Sequence, residues 1–249
     1  MDKRWLRRTI AAAFWLAVWQ GVSLALPRLL FASPVETALR LVSLLGEGGF
    51  WLSIAHSLGK IALGALLAAV LGALLAVAVY RSDLMRLLIE PAVQIMKSVP
   101  VACFVVVALI WVRSAWISVL TSFFVVFPVV YIQLRTGLYN VDEKMREMAR
   151  AFRLRRRQRL QAVYLPSVMP QLLAACRIAV GMALKAGVAG EIIGLPRQSI
   201  GEQLYLSKLY LDTAGLFAWS IAIIVLSLAL ERLLVRLVGG LQQKWGDGA

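Results

Sequence analysis

Histidine, cysteine and acidic side chains are all scarce in this chain, and each shortage removes a class of function. One histidine, His56, and two cysteines, Cys103 and Cys176, stand far apart among 249 residues. They assemble no multi-histidine metal site, no CxxC redox pair and no disulfide framework. His56 lies beside Ser57 but has no acidic third member near it in sequence, so nucleophilic catalysis is not expected. The 13 Asp and Glu residues are scattered among predicted loops. An integral membrane enzyme would need such groups convergent at one depth. No GxxxxGK(S/T) phosphate loop occurs, so the chain lacks that device for holding a nucleotide. Only 16% of residues are charged, where a water-soluble domain of this size carries about a quarter.

What the chain has instead is grease and basic punctuation: 61% hydrophobic residues, 27 Lys and Arg, and a formal charge of +14. A helix crossing the roughly 30 Å hydrocarbon core needs about 20 mostly apolar residues. Six windows meet that requirement: Thr9 to Leu30, Leu58 to Tyr80, Val93 to Val112, Trp116 to Leu134, Gln171 to Gly190 and Leu216 to Val238. Helix is expected for all six, because an open strand in lipid leaves its backbone groups unsatisfied. The first window follows Lys3, Arg4, Arg7 and Arg8, as a signal peptide would, but no small-residue cleavage site closes it and an uncleaved anchor is expected. The fold class expected is an all-α integral membrane protein forming one domain over residues 1–249. With the N-terminus inside, the segments 1–8, 80–97, 135–170 and 232–249 hold 19 basic residues, and the outside segments 27–56, 113 and 191–215 hold five. That bias predicts both termini on the cytoplasmic side. It also turns the basic charge into a topology signal rather than a nucleic-acid surface.

Two outside stretches carry structure of their own. After Pro34, the residues Val35, Ala38, Leu39, Val42 and Leu45 recur at helical spacing with Glu36 and Arg40 off that face, which predicts a helix lying along the outer membrane surface. The stretch Gly194 to Gly215 is too polar to span and reads either as a part-helical cap over the outer mouth, suited to a soluble partner, or as an ordinary loop.

The inside loop from Arg135 to Pro170 carries nine basic and three acidic residues. Asp142 is placed to cap a helix in which Met145, Met148, Ala149 and Phe152 form an apolar face. A second apolar set, Leu154, Leu160, Val163 and Tyr164, ends at Leu165-Pro166. Two short amphipathic helices of this kind suit a groove on another protein; a basic loop resting on anionic headgroups is the alternative.

Glu147-Met148-Ala149, then Arg153 six residues after the glutamate, then Val163-Tyr164-Leu165-Pro166, resembles the EAA loop of permease subunits of binding-protein-dependent ABC importers, and the surrounding text is similar to the nitrate, sulfonate and taurine branch. Pro91, Val99-Pro100, Phe127-Pro128, Arg177 and Glu191 extend the likeness over roughly residues 30 to 240. Where the family places glycine this chain has Arg153, so the turn is expected either to use an ordinary right-handed conformation or to differ in shape.

The resemblance implies a type I importer permease fold in a bacterial cytoplasmic (inner) membrane. It implies a second permease subunit, expected as a homodimer, two ABC ATPase subunits beneath carrying ATP and Mg, and an extracytoplasmic substrate-binding protein. The chain itself would hold no cofactor and would not be an enzyme. Glu147, Met148, Ala149, Phe152 and Arg153 become the expected ATPase contacts, with Leu165 and Pro166 fixing the loop's exit. An ATP-independent channel or secondary carrier would leave this loop unexplained. Within the spans, Lys185 stands out, because an intramembrane cation is costly and functional by default. Gly181 beside it allows close helix approach, and Lys185, Gly181 and Glu191 are candidates for a translocation pathway attracting a small anion. The competing expectation is that Lys185 pairs with Glu191 or Glu90, or snorkels toward a membrane boundary. Lys60 is expected to snorkel to headgroups, and Arg177 to act as an anchor.

Overall fold

The computed structural model describes residues 3–246, apart from the side chains of residues 3–5, 8, 235 and 237–246. Every regular element among the described residues is helical. Helix α1 (Lys3–Ala25) stops five residues before the expected Leu30, because Pro27 offers no N–H and disfavours helix in the residue before it. Its apolar part, Thr9–Ala25, is shorter than a full crossing. Helix α2 (Pro34–Leu45) opens with a capping box: the Ser33 hydroxyl accepts from the Glu36 N–H at 3.2 Å and the Glu36 carboxylate accepts from the Ser33 N–H at 3.0 Å. The Ser33 N–H donating to it, and to a lesser degree the Ser33 hydroxyl, hold the Glu36 carboxyl below the usual carboxylate range. Val35, Leu39 and Val42 stay exposed along one side of α2, as its helical spacing predicts.

Four helices are long and apolar enough to cross a membrane outright. They are α3 (Gly48–Arg81), α6 (Ile117–Tyr139), the rod ending in α9 (Leu165–Gly194), and α11 (Thr213–Gly246). Helix α6 is the centre, packing most extensively against α3 on one side and α9 on the other. The approach of α3 depends on small residues: Gly64, Ala68, Gly72 and Ala76 are all buried at four-residue spacing. A Cβ on Gly64 would collide with the Val119 carbonyl oxygen, and one on Gly72 would lie 3.2 Å from that of Phe127. Such stripes let backbones touch where lipid offers no hydrophobic drive for association.

The expected third crossing, Val93 to Val112, is not one helix. Helix α4 begins at Asp83 and ends at Ser98, α5 covers Val101–Ala108, and the two are bent by 104°. The cause is Val99-Pro100: proline forces its predecessor out of the helical region, and Val99 is extended at ψ 126°. The loop then contains α7 (Glu143–Ala151) and α8 (Arg156–Arg159), and α10 (Ile200–Leu209) lies at the opposite end between α9 and α11. The stretch Gly194 to Gly215 is therefore helical over about half its length rather than irregular.

Candidate functional site: the elbow and the cavities beside it

Asp142 caps α7 as its position predicts, its carboxylate accepting from the Lys144 N–H at 2.9 Å. The apolar face of α7 divides in two. Ala149 is only 2% exposed and packs with Val141, Val163, Leu154 and Tyr164 into a small core belonging to the loop itself. Its methyl faces that core within the chain, so an aspartate there would break the elbow from within. Met145, Met148 and Phe152 point outward instead, Phe152 being 75% exposed. Glu147 is exposed beside them and makes no ion pair among the described residues. Arg146 binds Glu143 at 2.6 Å and reaches the Tyr80 hydroxyl at 3.4 Å, tying α7 to the end of α3.

Arg153 adopts φ +49°, the left-handed conformation that glycine favours. The right-handed alternative does not hold. The Arg153 N–H donates to the Arg150 carbonyl and the Leu154 N–H to the Ala149 carbonyl, each at 3.0 Å, the paired bonds of a Schellman stop with its apolar contact from Leu154. The arginine bears a conformational cost of about 1–2 kcal/mol in this turn.

Leu165 and Pro166 do not end the second arm. The helix runs unbroken from Arg156 to Gly194, passing through a π turn at Leu160–Tyr164. Pro166 has no N–H for the preceding turn and its ring crowds that carbonyl; the widened turn accommodates both.

Glu191 is 0% exposed within the chain, and its bonds are those of a packing node. It accepts from Ser57 Oγ at 2.8 Å, Ser118 Oγ at 2.8 Å and the Gly201 N–H at 3.1 Å, joining α3, α6, α9 and α10. Ser57 also accepts from the Ile200 N–H at 2.9 Å. The carboxylate thus sits at the N-terminus of α10, where the helix dipole favours negative charge. Gly201 is required there, since a Cβ would overlap Glu191. Lys185 pairs with neither expected acid: Glu191 is occupied, and Glu90 binds Arg135 at 2.8 Å and Arg86 at 2.9 Å. Lys185 is exposed with no partner among the described residues, and a Cβ on Gly181, one turn away, would meet nothing within 4 Å. The face of α9 bearing Gly187 and Gly190 is pressed against Ile61, Ser122 and Thr121. His56 is held by the Gln198 carbonyl at 3.0 Å, a packing contact. Arg177 is exposed, and Lys60 is half-buried.

Two cavities flank the α4–α5 break. One, of about 260 Å³, is mainly apolar, lined by Phe124, Pro128 and Met182 among others; the second, of about 460 Å³, is polar, and both include Lys97 and Ile132. The polar residues of the second, Glu90, Gln94 and Lys97, recur at i, i+4 and i+7, a spacing visible in the sequence once α4 is started at Asp83 rather than Val93.

The arrangement is that of a helical bundle with a self-cored elbow at one end and cavities opening beside a broken helix. Residues 68–243 match the family described as "Binding-protein-dependent transport system inner membrane component". The chain is 27% identical over 246 residues to the aliphatic sulfonates transport permease protein SsuC of Bacillus subtilis, covering 97% of this chain and 88% of that one. It is 28% identical over 236 residues to the taurine transport system permease protein TauC of Escherichia coli (89% and 85%). To the nitrate import permease protein NrtB of Synechococcus elongatus it is 26% identical over 203 residues (77% and 72%). These relatives are transport permease proteins, and a family match over most of the chain settles membership. The chain is a multi-pass bacterial inner-membrane protein belonging to the binding-protein-dependent transport system inner membrane component family.

Proposed function

We propose that this chain is the permease subunit of an ATP-driven importer for a small anion of the sulfonate, nitrate or taurine type. Two copies pair about a two-fold axis, both termini face the cytoplasm, and a separate ATPase holding ATP and Mg seats α7 in its cleft. An extracytoplasmic binding protein docks at the α10 end. The observation that carries the reading is the ridge of Met145, Met148 and Phe152 standing exposed on an elbow that has its own core. A loop merely resting on headgroups needs no such internal packing, whereas a lever gripped by a partner must not deform. The substrates for which these relatives are named, aliphatic sulfonates, taurine and nitrate, share a small oxygen-rich anionic group.

The test is co-purification of the chain with a co-expressed ATPase partner, wild type against Phe152→Asp. Because Phe152 is 75% exposed, the variant is expected to insert and fold normally while losing the ATPase and ATP-dependent uptake. Normal uptake by Phe152→Asp, or uptake that persists without any ATPase, would sink the proposal.

A further inference from the structure

Resting on the permease reading, we propose that the polar cavity between α4 and α6 is a station for a monovalent oxyanion on the elbow side of the pathway, with Lys97, Gln94 and Tyr131 as its ligands. Its walls come from one face of α4, carrying Glu90, Gln94 and Lys97, and from Tyr131 and Arg135 on α6. Arg135 is spoken for, being bound to Glu90 at 2.8 Å. The remaining polar groups are donors without acceptors. The Lys97 ammonium and the Gln94 side-chain amide have no partner among the described residues. The Tyr131 hydroxyl is buried, on a residue only 1% exposed, and is likewise unpartnered. Buried hydroxyls are nearly always satisfied, so an orphan one in a cavity wall points to something that binds there.

The chemistry selects the occupant. Two lining cations, Lys97 and Arg135, face one carboxylate, Glu90, which Arg86 also binds at 2.9 Å, so the wall carries an excess of positive charge for a ligand to neutralise. A ligand made only of acceptors, with one negative charge spread over several oxygens, meets an ammonium, an amide N–H and a hydroxyl at once. Nitrate, bicarbonate and an alkanesulfonate head fit this description. At about 460 Å³ the cavity is far larger than the roughly 10–15 Å³ that one water needs, so the anion keeps part of its hydration.

Position gives the station its place in a sequence. Lys97 is the penultimate residue of α4, beside the 104° break, and it also lines the mainly apolar cavity that reaches Met182 on α9. Met182 is three residues, about one turn, before the exposed Lys185. Lys97 is thus shared between the apolar cavity and the polar one. An anion that crosses the neutral stretch is received by Lys97.

The test uses the full-length chain in lipid nanodiscs, in a chloride-free gluconate buffer, with trifluoromethanesulfonate as the probe and its ¹⁹F line width as the readout. Wild-type protein is expected to broaden the line, and nitrate to reverse the broadening. Lys97→Met is expected to weaken binding at least tenfold and Tyr131→Phe about threefold. Neither substitution removes a contact that exists in the folded chain, and thermal melting checks that both variants fold. Wild-type affinity in both variants, or no nitrate-reversible broadening in wild type, overturns the proposal. Co-purification with the ATPase separates this outcome from the wider reading. Retained ATPase pairing without Lys97-dependent binding removes the station alone, whereas Lys97-dependent binding in a chain that recruits no ATPase supports the station and removes the importer.

Discussion

Glu191 and Lys97 are both charged side chains carried on helices of the same bundle, yet their surroundings are opposite. Glu191 is sealed off and accepts three hydrogen bonds from three other helices. Lys97 stands on the wall of two cavities with nothing to bind, near a tyrosine hydroxyl equally alone. A buried polar group whose partners are all supplied by the chain fixes packing, because breaking any one bond strands a desolvated donor. A group whose partners are missing contributes little to the fold and is free to recognise a ligand. The α10 end of the bundle is held by saturation, and the cavity on the elbow side is left unsaturated.

The contrast can be broken most severely at Glu191. Glu191→Leu leaves Ser57, Ser118 and the Gly201 N–H without an acceptor, and stranding each costs about 1–3 kcal/mol. Detergent-solubilised protein is expected to melt far below wild type, with Glu191→Gln in between. A wild-type melting temperature for Glu191→Leu would dissolve the distinction. Next comes Gly64→Ala, whose methyl meets the Val119 carbonyl and forces α3 off α6. About 1–3 kcal/mol should be lost, read from the same melt; no change would mean that the two backbones do not touch as closely as described.

Arg153→Gly acts in the opposite direction. Relieving the left-handed strain should stabilise the elbow by about 1 kcal/mol, seen as slower proteolysis of the 135–170 loop, and faster cleavage would contradict the observed turn. The smallest stability effect is expected on the unsaturated side. Lys97→Met should melt within about 0.5 kcal/mol of wild type, and a large loss there would mean that Lys97 belongs to the packing after all.

Particular residues show which parts of this arrangement are legible in the sequence. The exposed side of α2 and the Asp142 cap follow from local spacing and chemistry, which act over a few residues. The α4–α5 break is encoded in Val99-Pro100, but the apolar run that begins at Val93 masks it, because the polar turn bearing Glu90 falls outside that run. Ala149 has the same spacing whether its methyl meets a partner or Val163, so periodicity could not tell the two apart. Nothing near Glu191 announces Ser57, Ser118 and Gly201, which come from 134, 73 and 10 residues away. Its role exists only in three dimensions.

The uninterrupted helix from Arg156 to Gly194 has a mechanical corollary. Thirty-nine residues at 1.5 Å each make a strut of roughly 58 Å, spanning the whole thickness of the bilayer. One tip leans on the small core beneath α7 and the other is clamped in the Glu191 knot. A nudge at the elbow tip is therefore carried along the strut and pivots the far tip as well. The widened turn at Leu160–Tyr164 and the proline at Pro170 are the soft points where part of it can be taken up.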